Sequence, residues 1–278
     1  MNLMERIKRS LDTMTKSEAK IAAYCMSHSN EFVFHTLETI AKQIDTSTTS
    51  VIRFCQRLGF SGYKSFQEEL RLQYKQEPDL PDKWRRTAKA ETKNELLIQT
   101  LRQSVQCIDK TFRELSPQAL SRSISLLMEK RRVFTFGMKE SYALAHYAYT
   151  RFLTVRKDVF LLNAGYNGEL ESVLGLTRED VCVVFLFHRY TRQALNILEL
   201  IKKQGCDVIL VTSPPFDSVQ KGVSVTLPCF VDAQGIKNSS VAPVCLIDYL
   251  CNAVATELGE QALSYMKQSE QLFSDYLF

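Results

Sequence analysis

One stretch of the chain combines small hydroxyl side chains with two arginines at helical spacing. The hydroxyls belong to Ser47, Thr48, Thr49 and Ser50. Arg53 and Arg57 follow at intervals of four residues, on the outward side of the pattern. Such donors on one helix face can contact phosphate oxygens and base edges in a DNA major groove. Lys64, further on, is a candidate phosphate contact. The alternatives are a solvated polar face and, for Arg53, a structural role beside Phe54.

Seven more positions with possible binding chemistry follow apolar runs in the second half of the chain. They are Gly137, Lys139 and Ser141 after VFTFG, His188, Arg189 and Thr191 after DVCVVFLF, and Thr212 at the end of DVILVT. Ligands of parallel sheets bind beyond the carboxyl ends of the strands. Helices begin there too, and their exposed N–H groups attract anions. These loops therefore predict a site for an anionic ligand.

Two short helical patterns must position the hydroxyls and arginines. The first covers about 37–44, and its apolar residues at i, i+3, i+4 and i+7 are Leu37, Ile40, Ala41 and Ile44. Asp45 interrupts it, and Ser47 can cap a second helix that runs to about Leu58 and stops at Gly59. The inner face of that helix consists of Val51, Phe54, Cys55 and Leu58. Two helices joined by so short a turn predict a helix-turn-helix.

The run SVIRFCQRLGFSGYKSFQEEL resembles the helix-turn-helix signature of the RpiR/MurR family of bacterial transcription regulators. The matching positions are Val51, Arg53, Phe54, Cys55, Leu58, Gly59, Phe60, Gly62 and Tyr63. Members of this family join a DNA-binding domain to a sugar isomerase (SIS) domain. Asp45 stands where the family often has glycine, and aspartate also tolerates the left-handed conformation. The resemblance implies operator DNA as the partner.

Length and composition agree with two domains and a linker. The chain has 278 residues, 45% hydrophobic content and a net charge of +4, which permits a DNA partner without requiring one. We predict an all-α helix-turn-helix domain at residues 1–75. A polar linker with two prolines follows at 76–93, and an α/β domain occupies 94–278.

The eight cysteines predict a reducing compartment. No CxxC pair occurs, and only four histidines are present, so we expect neither a metal site nor a cofactor. Cysteines beside apolar runs usually act as small buried hydrophobes. The sequence shows no signal peptide and no apolar run of about 18 residues. We therefore expect a cytoplasmic protein that does not associate with membranes.

Apolar strands alternate with helices from about residue 132 onward. Strands are predicted at 133–137, 158–162, 180–187, 207–212 and 223–227. Alternation of this kind indicates a five-stranded parallel sheet flanked by helices. The region 130–258 is similar to a SIS domain in its strand order and spacing, which implies phosphosugar binding and dimerisation.

The phosphosugar residues of that family match only in part. Its usual S-x-S-G-x-T after the third strand aligns with Leu186, His188, Arg189 and Thr191, so only the threonine remains. Lys139 replaces a frequent glycine, whereas Ser141 is kept. One interpretation is that Lys139, His188 and Arg189 bind an anion by charge. The other is that Arg189 fills the pocket or contacts a subunit, and the domain serves only oligomerisation.

The resemblance to these two domains implies a transcription regulator of sugar or amino-sugar metabolism. It would form a homodimer or homotetramer and bind a pseudo-palindromic operator, with a phosphosugar-like effector acting at the SIS domain. A sugar-phosphate isomerase is the rival, because Glu140 and His188 are available as bases. Neither has a recognisable partner in the sequence, and an N-terminal helix-turn-helix has no use in an isomerase. We therefore predict that the chain is not an enzyme.

Overall fold

The computed structural model of the chain divides into two compact units, Met1–Asp79 with Asp217–Lys221 and Leu80–Phe216 with Gly222–Phe278. The main boundary along the sequence lies between Asp79 and Leu80. The structure describes residues 3–27, 29–74, 80–88, 92–164, 169–188, 190–214, 216, 219–231 and 237–277. We call the part before the boundary the helical unit and the part after it the sheet unit.

The helical unit is a succession of short helices. They are α1 (Leu3–Ser10), a 3-10 turn (Leu11–Thr13), α2 (Lys16–Ser27), α3 (Ser29–Phe34), α4 (Leu37–Ile44), α5 (Thr48–Arg57) and α6 (Tyr63–Tyr74). A reciprocal cap starts α2, because the Thr15 N–H donates to the Glu18 carboxylate over 2.9 Å and the Glu18 N–H to the Thr15 hydroxyl over 3.3 Å. This capping box satisfies two N–H groups that a helix start leaves unpaired.

Phe66 of α6 is the centre of the helical core. Its ring contacts those of Phe32, Phe54 and Phe60, with centroids 5.8, 5.8 and 5.4 Å away and near-perpendicular planes. Edge-to-face packing of this kind adds to the hydrophobic gain from burial. Phe66 therefore joins α3 and α5 to α6.

The sheet unit contains a five-stranded, all-parallel sheet in the order β2-β1-β3-β4-β5. The strands are β1 (Arg132–Gly137), β2 (Val159–Leu161), β3 (Asp180–Phe185), β4 (Asp207–Thr212) and β5 (Val225–Pro228). The helices are α7 (Leu80–Thr87), α8 (Lys93–Glu114), α9 (Pro117–Glu129), α10 (Glu140–Leu153), a 3-10 helix (Glu169–Gly175), α11 (Arg192–Lys203), α12 (Val241–Leu258) and α13 (Glu260–Leu277). The predicted fold class is confirmed.

Every side chain of the central strand β3 is buried. Val181, Val183 and Phe185 share one core with α8, α9, α10 and α12. The alternate residues Cys182 and Val184 are equally buried on the opposite face. The continuous apolar run that predicted this strand is therefore the result of burial on two faces.

An arginine–carboxylate pair joins the amino ends of β1 and β3. Asp180 is fully buried, and Arg132 donates to it from Nε over 2.9 Å and from Nη2 over 2.7 Å. Thr177 adds its N–H at 2.8 Å and its hydroxyl at 2.9 Å. Burial alone would raise the pKa of Asp180, but the bonds from Arg132 and Thr177 hold it below its ordinary value.

Some helices were absent from the sequence prediction. The polar stretch at 76–93 contains α7, which accommodates Pro81 because proline is tolerated in the first helical turn. The short α3 follows α2 almost without interruption, and α13 begins after Gly259, whose φ of 51° breaks the path of α12. Between β2 and β3 the chain forms a 3-10 helix, Glu169–Gly175.

The cysteines are buried as predicted, except that Cys245 is half-buried. The buried ones are Cys25, Cys55, Cys107, Cys182, Cys206, Cys229 and Cys251. Burial raises the pKa of the Cys55 thiol to about 12 and that of Cys206 to about 12. These thiols are therefore protonated near neutral pH and are poor nucleophiles.

The expectation that the sequence has no apolar run of about 18 residues was wrong, because α12 is long and apolar enough to cross a membrane by length and composition alone. Seven of its side chains, including Leu246, Ile247 and Leu250, are buried in the core of the sheet unit. Its apolar character is thus explained by its central position there, against α8, α9 and α10.

Candidate functional sites

The turn between α4 and α5 has the geometry of a helix-turn-helix. Asp45 ends α4 in the left-handed conformation, with φ 54° and ψ 64°, and its N–H and that of Thr46 return to carbonyls of α4. This is the conformation that glycine adopts most easily. It explains physically why a glycine or an aspartate suits this position.

The hydroxyl cluster lies at the amino end of α5. Ser47 caps the helix by accepting the N–H of Ser50 over 3.1 Å, and the two hydroxyls are 2.9 Å apart. Thr49 is exposed, and Thr48 is half-buried. The predicted inner face of Val51, Phe54, Cys55 and Leu58 is buried, so the hydroxyls are left at the surface with their helix N-terminus. That arrangement favours anions.

The two arginines of α5 have different surroundings. Arg53 is exposed. Arg57 donates to the Glu18 carboxylate over 3.1 Å and to the Thr13 carbonyl. The Thr15 N–H, followed by the Thr15 hydroxyl and Arg57, lowers the pKa of Glu18. Arg57 thus fixes the end of α5 to the start of α2. A DNA contact by Arg57 stays a prediction. The same holds for Lys64, which is exposed in the first turn of α6.

The first loop of the predicted ligand site requires glycine at its start. A Cβ on Gly137 would lie 2.2 Å from the carbonyl oxygen of Ser141, so only glycine lets α10 begin so close to β1. Lys139 has φ 54° and ψ −121°, a conformation that strongly favours glycine. The backbone of Lys139 is therefore strained in this loop. Next to it, Glu140 forms an ion pair with Lys237.

The loops after β3 and β4 are joined by side-chain hydrogen bonds. His188 Nδ1 lies 3.0 Å from the Ser213 hydroxyl, and the hydroxyls of Tyr190 and Thr212 are 3.3 Å apart. The rings of His188 and Tyr190 are 4.5 Å apart, and Tyr190 is buried. The structure therefore brings His188 and Thr212 together through Tyr190 and Ser213. Arg189, to which both interpretations of this loop appeal, lies outside the described residues.

The threonine kept from the phosphosugar motif has a structural role. Thr191 caps α11, and its hydroxyl oxygen accepts the N–H of Ala194 over 3.1 Å. The hydroxyls at the end of β4 are likewise engaged by Tyr190 and His188. His188, Thr191 and Thr212, three of the residues predicted to bind a ligand, thus already have partners within the chain.

Tyr190, Ser213 and Asn238 were not among the predicted ligand residues, although Tyr190 and Ser213 lie in the loops after β3 and β4 where the ligand was predicted to bind. Asn238 donates to the main-chain oxygen of His188 over 3.3 Å. Ser213 directly follows the candidate Thr212, so a search one residue past each strand would have found it. For Asn238, 50 residues from its partner, the sequence offered no signal.

Comparisons with known proteins agree with this geometry. A family model described as a helix-turn-helix domain of the rpiR family matches residues 1–77, and a SIS domain model matches residues 126–253. The Escherichia coli regulator HexR is 21% identical over 285 residues, covering 100% of this chain and 96% of that protein.

Two solved structures share the fold. The Vibrio vulnificus NanR protein, solved in complex with ManNAc-6P, superposes with a TM-score of 0.57 at 17% identity and covers 99% of this chain and 98% of its own. The sugar isomerase domain of an RpiR transcription factor from Sphaerobacter thermophilus has a TM-score of 0.60 at 17% identity, with coverages of 64% and 99%. The chain joins an rpiR-family helix-turn-helix domain to a SIS domain, and it belongs to the RpiR family of transcriptional regulators.

Proposed function

We propose that this regulator binds operator DNA with α5 in the major groove and that an anionic sugar ligand at the SIS domain modulates this binding. The observation that carries the DNA part is the amino end of α5, where Ser47, Thr49 and Arg53 are exposed beside a left-handed turn. Hydroxyls at a helix N-terminus position the helix on phosphates, and a long arginine reaches base edges. The protein would act in the cytoplasm.

Support for an anionic ligand comes from the charges around the sheet edge. Lys139 and His188 stand where related domains have a small residue and a hydroxyl. NanR, which has the same fold, was solved with a phosphorylated amino sugar. A lysine ammonium and an imidazole N–H can both donate hydrogen bonds to a phosphate or carboxylate without the hydroxyl cradle.

A second function has its own support, namely a SIS domain that serves only oligomerisation. Thr191, Thr212 and Ser213 are already bonded within the chain, and Tyr190 is buried among them. A thermal-shift series with ManNAc-6P, glucose 6-phosphate and inorganic phosphate separates the two. A ligand at 100 times its dissociation constant adds about 2.7 kcal/mol, a visible rise in midpoint, whereas no shift in any series favours the second function.

Catalysis is not part of the proposal. An isomerase needs a poised base beside the sugar. Glu140 is paired with Lys237, and His188 with Ser213. Both candidate bases are thus committed to contacts that hold loops together. Absence of turnover of hexose phosphates by the purified protein would agree with this; measurable isomerisation would contradict it.

Replacing Arg53 by alanine should weaken operator binding by about 1–3 kcal/mol, or roughly 5- to 150-fold. The operator is first selected from random-sequence DNA, and affinities are measured by fluorescence anisotropy at several salt concentrations. Arg9→Ala is the matched control, because it removes the same exposed charge from α1. Equal losses of operator affinity in the two variants would indicate a general charge effect. If the selection from random-sequence DNA yields no preferred sequence, the proposal is contradicted.

We further propose that a second copy of this chain covers an apolar stripe on α8. Leu97, Leu101, Val105 and Phe112 recur at helical spacing on one face, and they are 37–63% exposed. A patch of this kind marks an interaction surface. A dimer also supplies the two DNA-binding units that a pseudo-palindromic operator requires.

The double variant Leu101→Glu, Val105→Glu should shift the protein to a monomer in analytical ultracentrifugation, since two buried unpaired charges oppose association strongly. Gln106→Glu adds a charge to the exposed outer side of the same helix and should leave the dimer intact. A wild-type monomer at micromolar concentration, or an unchanged double variant, would exclude α8 as the interface.

A further inference from the structure

The helix α7 is the first element of the sheet unit and comes directly after the helical unit in the sequence. It contains a buried lysine. Lys83 is 8% exposed, and its ammonium donates to the Asn238 side-chain oxygen over 2.6 Å. These residues are 155 positions apart in the chain. A buried ammonium is costly unless acceptors replace its water, so this bond contributes to holding α7 in place.

Asn238 continues the chain of bonds toward the predicted ligand site. Its oxygen faces the lysine, so its NH2 group faces the main-chain oxygen of His188, 3.3 Å away. This orientation is the one chemistry demands, because an ammonium only donates and a carbonyl only accepts. His188 in turn bonds through Nδ1 to the Ser213 hydroxyl over 3.0 Å. We call this series, Lys83–Asn238–His188–Ser213, the relay.

The relay joins four segments that are distant in sequence, one of which is the stretch before α12 that contains Asn238. One end lies in the loop after β4 and the next bond in the loop after β3, where ligands of parallel sheets bind. The other end lies in α7, in the stretch that leads from the DNA-binding unit. A continuous set of hydrogen bonds thus connects the sheet edge to α7, so a change in the loops can alter the position of α7.

We propose that the relay couples the state of the ligand-site loops to the linker helix α7, with Lys83 and Asn238 as positioning residues. The proposal rests on the proposed function for its biological use. An anion bound at the sheet edge draws on the donors of His188 and Ser213, which shifts the carbonyl that Asn238 holds. Because coupling is reciprocal, the packing of α7 also biases the loops.

A double-mutant cycle read by hydrogen exchange tests the relay without any ligand. Ser213→Ala in the full chain should raise amide exchange in the peptide covering α7 by about two- to tenfold, the effect of losing one hydrogen bond. In the Asn238→Ala variant, adding Ser213→Ala should raise amide exchange in α7 by less than about 1.5-fold more, because the relay is already interrupted at Asn238. Lys83→Met should raise exchange as Asn238→Ala does.

Two controls separate the relay from general loosening. Ser224→Ala removes a hydroxyl that bonds Asp207 and the Val208 N–H, and Lys237→Met removes the ion pair with Glu140 next to Asn238. Both should leave exchange in α7 unchanged. Independent effects of Ser213→Ala and Asn238→Ala, or equal effects of the controls, would overturn the relay.

Operator binding by the wild-type protein is measured with and without ManNAc-6P and inorganic phosphate. This measurement distinguishes a failure of the proposed function from a failure of the relay. If DNA binding is absent while the exchange cycle shows coupling, the proposed function fails and the relay stands. If DNA binding is present and the cycle is additive, the relay fails alone.

Discussion

Replacing Phe66 by alanine is expected to lower the free energy of unfolding of the helical unit by about 3–5 kcal/mol. Phe66 is fully buried, and its ring is in contact with three other aromatic rings. Truncation removes the transfer free energy of the ring and leaves a cavity that several helices would have to close. A loss of this size is a large share of the stability of a small domain.

Urea denaturation followed by circular dichroism measures the loss, and operator affinity should fall with it. Glu68→Ala on the same helix is the control, since Glu68 is exposed and its replacement should change stability by less than about 0.5 kcal/mol. A Phe66→Ala variant within about 1 kcal/mol of wild type would mean that Phe66 is not central to this core.

Replacing Asp180 by alanine is expected to destabilise the sheet unit by about 3–5 kcal/mol, because it leaves the Arg132 guanidinium without its buried partner. The carboxylate accepts bonds from Arg132 and Thr177 and is itself inaccessible to water. Glu179→Gln is the control, because that neighbouring side chain is 68% exposed. An Asp180→Ala variant as stable as Glu179→Gln would contradict this account.

The same carboxylate predicts a pH dependence. Its pKa in the folded state lies below the ordinary value of 3.8, so its contribution is fully present at pH values above that value. The contribution is lost as the pH falls through the lowered pKa. Unfolding free energies measured between about pH 5 and pH 2.5 should therefore fall less steeply for Asp180→Asn than for wild type. Parallel curves would exclude Asp180 as a source of the acid sensitivity.

Local patterns were sufficient for the elements that carry their own start and stop signals. The bounds of α4 and β4 agree with the prediction, because α4 has the Thr36 cap and the Asp45 stop, and β4 is a single apolar run. The cap of α5 was likewise readable, because Ser47 directly precedes the second helical pattern. These features depend on neighbours in sequence, so no tertiary information was needed.

The rest depended on partners far along the chain. The polar stretch around Lys83 contains no pattern that predicts a helix. It also contains no signal that the lysine is buried and bonded to Asn238. The loss of the serines from the phosphosugar motif was readable, but the use of Thr191 as a cap and of Tyr190 as a buried ring was not. Side-chain patterns show what a residue is able to bind, whereas the competing partners become visible only when the loops are folded.

The parallel pairing of β1 with β3 has a consequence for biosynthesis. Arg132 and Asp180, which pair across these strands, are 48 residues apart, whereas the buried core of the helical unit ends at Leu70. Contacts between distant residues form slowly, and domains generally fold in the order in which the ribosome delivers them. The helical unit is therefore complete while the sheet is still being translated. Until residue 185 has emerged, β1 carries Val133 and Phe136 without its central neighbour, so these apolar side chains lack part of the packing that buries them in the folded protein.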